Sequence, residues 1–175
     1  MKNQTKLTLA LTFLIAGVLF IQSCKKDDEK KEETTSNEFI ADSTTFASFM
    51  NWPLEATKNG ADPSLGMAHA GNDSTAIRRI YFKDGVNPVN GVYPIGAVVV
   101  KHTTNTGNTL NEYTGMVKRG NGFNPTKGDW EFFVLTMDGK IAEDSGMPLR
   151  GANLMGGMCG NCHAGAASKD YIFSK

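Results

Sequence analysis

Cys159, Cys162 and His163 stand in the order Cys-x-x-Cys-His near the end of the chain, within "GGMCGNCHAG" (156–165). This spacing reads as a covalent c-type haem attachment site. Two thiols three residues apart reach the two vinyl groups of one porphyrin, and the adjacent imidazole then points at the iron. Zinc also takes Cys and His ligands, but a structural zinc site needs four, typically in two separated pairs. The chain has three cysteines in all, the third being Cys24, and its other histidines, His69 and His102, are isolated. The motif therefore points to one haem c, with Cys159 and Cys162 as thioether anchors and His163 as the axial iron ligand.

Only 12 residues follow His163, and none is methionine. Small helical electron carriers place the pentapeptide near the N-terminus and an axial Met well downstream, so this chain is of another kind. Met147, Met155 and Met158 precede the motif, and one of them could ligate the iron. Such methionines more often pack against a porphyrin. His69 and His102 are further candidates for a sixth ligand, although lone histidines are more often ordinary hydrogen-bonding groups. Trp52 and Trp130 read as core.

The elements that must position the motif are mainly strands. Four runs are rich in β-branched or aromatic residues and bounded by Gly, Asn or Pro: 76–83, 96–103, 111–119 and 129–137. Short links between the last three favour antiparallel neighbours. "MDGK" (137–140) carries an Asp-Gly turn. "DSTTFASFMNW" offers Asp42 or Ser43 as an N-cap and Phe46, Phe49 and Met50 at helical spacing, which predicts an N-terminal helix that Pro53 kinks or restarts. "GADPSLGMAHAGND" reads as a loop, and "CGNCHAGAASKDYIF" as a helix. The expected fold class is α+β: a small antiparallel β-sheet with an N-terminal helix and a C-terminal haem-bearing helix.

Several segments together resemble the cytochrome P-460 family. They are "WPLEATKNGADPSLGMAHAGND", "IRRIYFKDG", "YPIGAVVVKHT", "YTGMVKRGNGFNPTKGDWEFFVL" and "CGNCHAGAASKDYIF". The resemblance covers about residues 46–173 and extends to the β-type cytochromes c-prime. It implies a β-rich fold, a C-terminal c-haem, and five-coordinate iron with an open distal face. Members with a lysine cross-linked to the porphyrin oxidise hydroxylamine and bind nitric oxide; relatives without it look like gas-binding proteins.

The resemblance makes Lys101, at the end of "AVVVK", the candidate for that cross-link, with Lys118 second. Strand alternation puts Ala97, Val99 and Lys101 on one face and Val98, Val100 and His102 on the other. A solvent-facing Lys101 is the competing expectation. Oxidation of hydroxylamine also needs a proton acceptor. Glu131 follows Lys101 at about the family's interval and is the candidate, against the plainer reading of a solvent-facing glutamate. Phe133 and Leu135 are expected on its face, Trp130 and Phe132 on the other. A distal wall of Phe133, Leu135 and Met116 alone would make an apolar, gas-binding pocket. Three readings follow: an oxidoreductase for small nitrogen species, a nitric-oxide sensor or scavenger without turnover, and a six-coordinate electron-transfer cytochrome.

The N-terminal region sets the compartment. Lys2 and Lys6 precede the apolar run "LTLALTFLIAGVLFI" (7–21), and "IQSC" resembles a bacterial lipobox. The expected organisation is a lipoprotein signal peptide over 1–23, a lipidated tether over 24–37 starting at Cys24, and one c-haem domain over 38–175. "KKDDEKKEETTSNE" has too little apolar surface to order itself. "KKDDE" after the lipidated cysteine resembles the export signal of Bacteroidetes lipoproteins. The expected location is the cell envelope, anchored to the outer membrane and facing the periplasm or the cell surface. One cysteine to lipid and two to haem leaves none for a disulfide. A formal charge of zero, with no basic stripe, gives no sign of nucleic-acid binding. The expected partners are a small nitrogen ligand, a redox protein, the membrane through the anchor and, as a further candidate, a second copy of the chain in a homodimer.

Overall fold

The computed structural model describes residues 38–174. The expected signal peptide, Cys24 and the expected tether lie outside the described residues. Six strands form one antiparallel sheet in the order β1-β2-β3-β4-β5-β8. They are β1 (Leu54–Asn59), β2 (Ala76–Phe82), β3 (Val98–Asn105), β4 (Asn111–Lys118), β5 (Trp130–Leu135) and β8 (Arg150–Gly151). Between β5 and β8, the two-residue strands β6 (Glu143–Asp144) and β7 (Met147–Pro148) make a small hairpin of their own.

The four runs read from composition are β2 to β5, with ends shifted by two residues at most. Their alternation divides the core into two clusters, one on each face. Phe46, Phe49, Tyr81, Val98, Val100, Tyr113, Val117, Phe133 and Leu135 pack on one face. Ile80, Phe82, Tyr93, Val99, Met116, Trp130, Phe132, Leu154 and Ile172 pack on the other. Gly115 on β4 makes room for this packing, since a Cβ there would lie 2.8 Å from Cε1 of Phe46.

β1 was not legible as a strand. Its sequence, LEATKN, carries no apolar alternation because it is an edge strand whose side chains are mostly exposed. Its backbone pairing with β2, interrupted by an irregularity between Leu54 and Ala56, holds it in the sheet.

The expected N-terminal helix does not form. Residues 43–48 are successive turns, and only Phe49–Asn51 closes into a single 3-10 turn. Asp42 accepts from the backbone N–H and hydroxyl of Thr44 and from the hydroxyl of Thr45, and the Thr45 hydroxyl accepts from the Asp42 N–H. Such local bonds compete with the helical ladder. Ser48, at φ 55, then turns the chain left-handed. Phe46 and Phe49 still reach the core, whereas Met50 is exposed.

At the other end the helix is real but short. Met158–His163 (α1) is α-helical, and Ala164–Lys169 continues it as 3-10 turns. Asp170, left-handed at φ 48, stops it and pins it to the sheet. Its carboxylate accepts from Lys118 Nζ at 2.7 and 2.8 Å and from the Tyr93 N–H at 2.8 Å. Its carbonyl accepts from Trp130 Nε1 at 2.8 Å.

Candidate functional site

α1 borders a pocket on the second face of the sheet. Its cavity volume is about 110 Å³, below the roughly 300–1,000 Å³ of typical ligand sites. Its floor is the sheet: Ile80, Val99, Lys101, Thr114, Met116 and Phe132. Cys159, His163, Ile172 and Phe173 form one wall. The loop residues Asp62, Ser64, Leu65 and His69 also line it. The lining is therefore mostly apolar, with a few polar groups placed among it.

Two residues of Cys-x-x-Cys-His, Cys159 and His163, line this space, and Cys162 does not. Cys159 and His163, four residues apart on α1, share the helix face that lines the pocket. Cys162 is half-buried, and neither cysteine is in a disulfide. His163 Nδ1 lies 2.7 Å from the carbonyl oxygen of Tyr171. A carbonyl only accepts, so Nδ1 carries the proton and Nε2 keeps its lone pair. Metal-ligating histidines are commonly oriented in this way. Burial pushes the imidazole down to about 4, against the Tyr171 bond that raises it, so the ring is neutral near pH 7. Phe132 and Phe173 hold its two sides, with ring centroids at 5.6 and 5.4 Å.

Lys101 lies on the pocket face with Val99, as strand alternation predicts, opposite Val98 and Val100. It is half-buried and makes no hydrogen bond or ion pair among the described residues. Burial pushes its ammonium down to about 8, with the Glu112 charge acting the other way. Lys118, the second lysine, is instead fixed to Asp170 and lies over Trp130 at 5.3 Å. It is a structural group outside the pocket lining.

Two residues of the site escaped sequence reasoning. Glu112 on β4 is diagonal to Lys101, since Lys101 pairs with Thr114 and Thr103 with Glu112. His69, given only a marginal place as a sixth ligand, lines the pocket and sets its Nδ1 3.2 Å from Glu112 Oε2. Burial lowers the His69 pKa, and the Glu112 bond opposes that. Burial acts to raise the Glu112 pKa, but the bond to His69 and the His69 and Lys101 charges outweigh it and hold the carboxyl below its usual value. The signal for Glu112 was the β3–β4 register. For His69 there was none, because a loop has no period.

Glu131 is where the sequence expectation fails. It is 2% exposed, hence neither solvent-facing nor in the pocket. With Phe133 and Leu135 it lies on the first face, as alternation from Trp130 and Phe132 requires. Arg150 donates to it twice, Nε at 2.7 Å and Nη2 at 2.9 Å, and Arg119 Nη1 adds a contact at 3.4 Å. Phe133 and Leu135 are consequently no part of the pocket wall; Phe132 takes that place, and Met116 lines the floor as expected. Met147, Met155 and Met158 are exposed and outside the lining. His102 stacks on Tyr113, centroids 4.5 Å apart, on the first face. Trp130 is fully buried core, and Trp52 packs partly buried against the first cluster.

Among the described residues, no three His, Cys, Asp or Glu side chains gather to hold a metal ion. Covalent haem attachment asks less of the protein, two thiols and one imidazole. No helix among the described residues is long and apolar enough to cross a membrane. Comparison with known protein families, characterised proteins and solved structures finds no match to this chain.

Proposed function

We propose that this chain is a lipid-anchored, single-haem c-type cytochrome of the P-460 kind that binds or oxidises small nitrogen species such as hydroxylamine and nitric oxide. The observation that carries the reading is the convergence on one apolar pocket of Cys159, an Nε2-free His163 and an unpaired Lys101. Cys159 and Cys162 would hold the porphyrin as thioethers and His163 Nε2 would hold the iron. When bound, the haem supplies a site for the nitrogen ligand and a place for its electrons, which leave to another redox protein.

The chain's own residues do the rest. Tyr171 fixes the tautomer and direction of His163. Ile80, Val99, Met116 and Phe132 keep bulk water from the floor. Lys101, from the same floor, is the candidate for a covalent bond to the porphyrin edge. A binding module without turnover is the second reading, and the mostly apolar lining favours it. The state of Lys101 separates the two.

The test is intact mass of the purified full chain together with the optical spectrum of its reduced form. Mass equal to the polypeptide and lipid alone sinks the haem assignment. A band well to the red of ordinary c-haem supports the Lys101 bond, and Lys101→Met should then restore an ordinary band with haem mass retained. A sharp six-coordinate low-spin spectrum overturns the open-site reading in favour of electron transfer.

A further inference from the structure

The loop that carries His69 is held by an unusual use of a buried charge. Arg78 on β2 is 3% exposed. Its Nε, Nη1 and Nη2 donate to the carbonyl oxygens of His69, Gly60 and Ala70 at 2.7, 2.9 and 2.7 Å. Two of the three residues so clamped, His69 at φ 51 and Ala70 at φ 54, are left-handed although neither is glycine. Non-glycine residues in that region persist only where surroundings over-determine them, and they cluster at functional sites. Here the clamp fixes the backbone of one pocket residue, and Glu112 fixes its ring.

The tautomer follows from the partner. An ionised carboxylate only accepts, so the Nδ1 facing Glu112 carries the proton and the lone pair of neutral His69 is on Nε2. That arrangement, an imidazole backed by a carboxylate, is the general form of an oriented proton acceptor.

We propose that His69 is the proton acceptor of this pocket, receiving a proton from the N–H or O–H of a small neutral ligand bound there, with Glu112 as its positioning residue. The inference rests on the haem reading above and moves the role first sought in Glu131 to a different pair. In the step, the ligand's N–H or O–H bond breaks and its electron pair stays on the ligand. The proton goes to His69 Nε2, and the resulting imidazolium is balanced by Glu112 through the Nδ1–H bond. No oxidant enters this step. The charged and titratable groups bearing on His69 are Glu112 from β4, Lys101 from β3, Arg78 from β2 and the neutral His163 from α1, with Asp62 and Lys58 also lining the pocket. Burial together with Lys101 and Arg78 keeps the ring uncharged before the transfer, and Glu112 favours the charge afterwards.

The experiment uses the haem-loaded full chain in its ferric form and two probes. Hydrogen cyanide, whose acidic proton is on carbon, stands in for the N–H or O–H ligand and must likewise lose that proton to bind; nitric oxide has none to lose. In stopped-flow at pH 7, His69→Gln should slow cyanide association about a hundredfold and Glu112→Gln about tenfold, with nitric oxide association in both within about threefold of the parent. The cyanide rate of the parent should rise with pH through the His69 titration, and that rise should vanish in His69→Gln. Equal slowing of both probes, or of neither, overturns the proposal. So does a resting spectrum that changes from six- to five-coordinate in His69→Gln, because His69 would then be an iron ligand. Intact mass separates these results from failure of the haem reading: protein without porphyrin mass sinks both. If His69→Gln does not fold, imidazole nitrogen NMR of the parent and of Glu112→Gln decides, and a His69 protonated at Nε2 rather than Nδ1 overturns the assignment.

Discussion

The two faces of the sheet each carry a carboxylate, Glu131 buried on the first and Glu112 partly exposed on the second, and treat it differently. On the first face Glu131 takes a two-pronged guanidinium from Arg150 and a longer contact from Arg119, which also binds Glu38 at 2.6 Å. Arg150 further donates to the Ala41 carbonyl at 2.7 Å and lies over Phe133, so its charge is engaged on every side. On the second face Glu112 is held by His69, and the nearby Lys101 makes no hydrogen bond or ion pair among the described residues. Buried charge that is fully matched ties the N-terminal turns to β8 and leaves no capacity for a ligand. Partly exposed charge with fewer partners beside an open pocket keeps capacity for a ligand, and perturbed groups of that sort concentrate where chemistry is done.

That contrast can be broken in several ways. The largest effect is expected at Glu131. Glu131→Gln leaves Arg150 without its countercharge and Arg119 with Glu38 alone, and removing one partner of a buried pair costs about 3–5 kcal/mol. Urea unfolding should show this, with ligand spectra of the folded fraction unchanged; a loss under about 1 kcal/mol would mean that the network is not structural. Next is Gly115→Ala, which drives a methyl against Phe46 on the same face. Overpacking of this kind costs about 1–3 kcal/mol, readable as a lower melting temperature.

Lys101→Met should act in the opposite direction on the second face. In haem-free protein the lysine's pKa falls from 10.5 unfolded to about 8 folded. Between those values the unfolded chain binds more protons, so stability rises with pH from about 8 to 10.5 and is lower, by a constant amount, below 8. Lys101→Met should remove that rise and raise stability at pH 7 by roughly 1–3 kcal/mol. Urea midpoints at pH 7 and pH 10 check both signs, and a parent that does not gain stability over this range contradicts the burial of the ammonium. The smallest effect is expected at the exposed Asp138–Lys140 pair, 2.7 Å apart on the turn after β5. Lys140→Ala should leave the melting temperature within error, because solvent screens such pairs.

Much of this was legible in the chain. Strands β2 to β5, the sorting of Val99 and Lys101 from Val98 and Val100, and the sorting of Phe132 from Phe133 follow from period-2 alternation, which is local. The Cys-x-x-Cys-His spacing is local as well. Glu131 shows where local reasoning stops. Alternation puts it with Phe133 and Leu135, but no local pattern says which face of the sheet holds the pocket, and the pocket lies on the other face. The N-terminal helix failed for a related reason. Phe46 and Phe49 have helical spacing, yet Asp42 and Thr45 offered the backbone other partners and Ser48 turned the chain away.

By itself the sequence determined strands β2 to β5, the sorting of their side chains between two faces, and the residues of a Cys-x-x-Cys-His motif, because each depends on neighbours a few positions apart. Only the tertiary structure decided that α1 lies against the face bearing Lys101 and not the one bearing Glu131. It alone brought His69 to Glu112 across 43 positions of chain. Register between strands and the path of a clamped loop are set by packing between distant segments, and no local pattern encodes them.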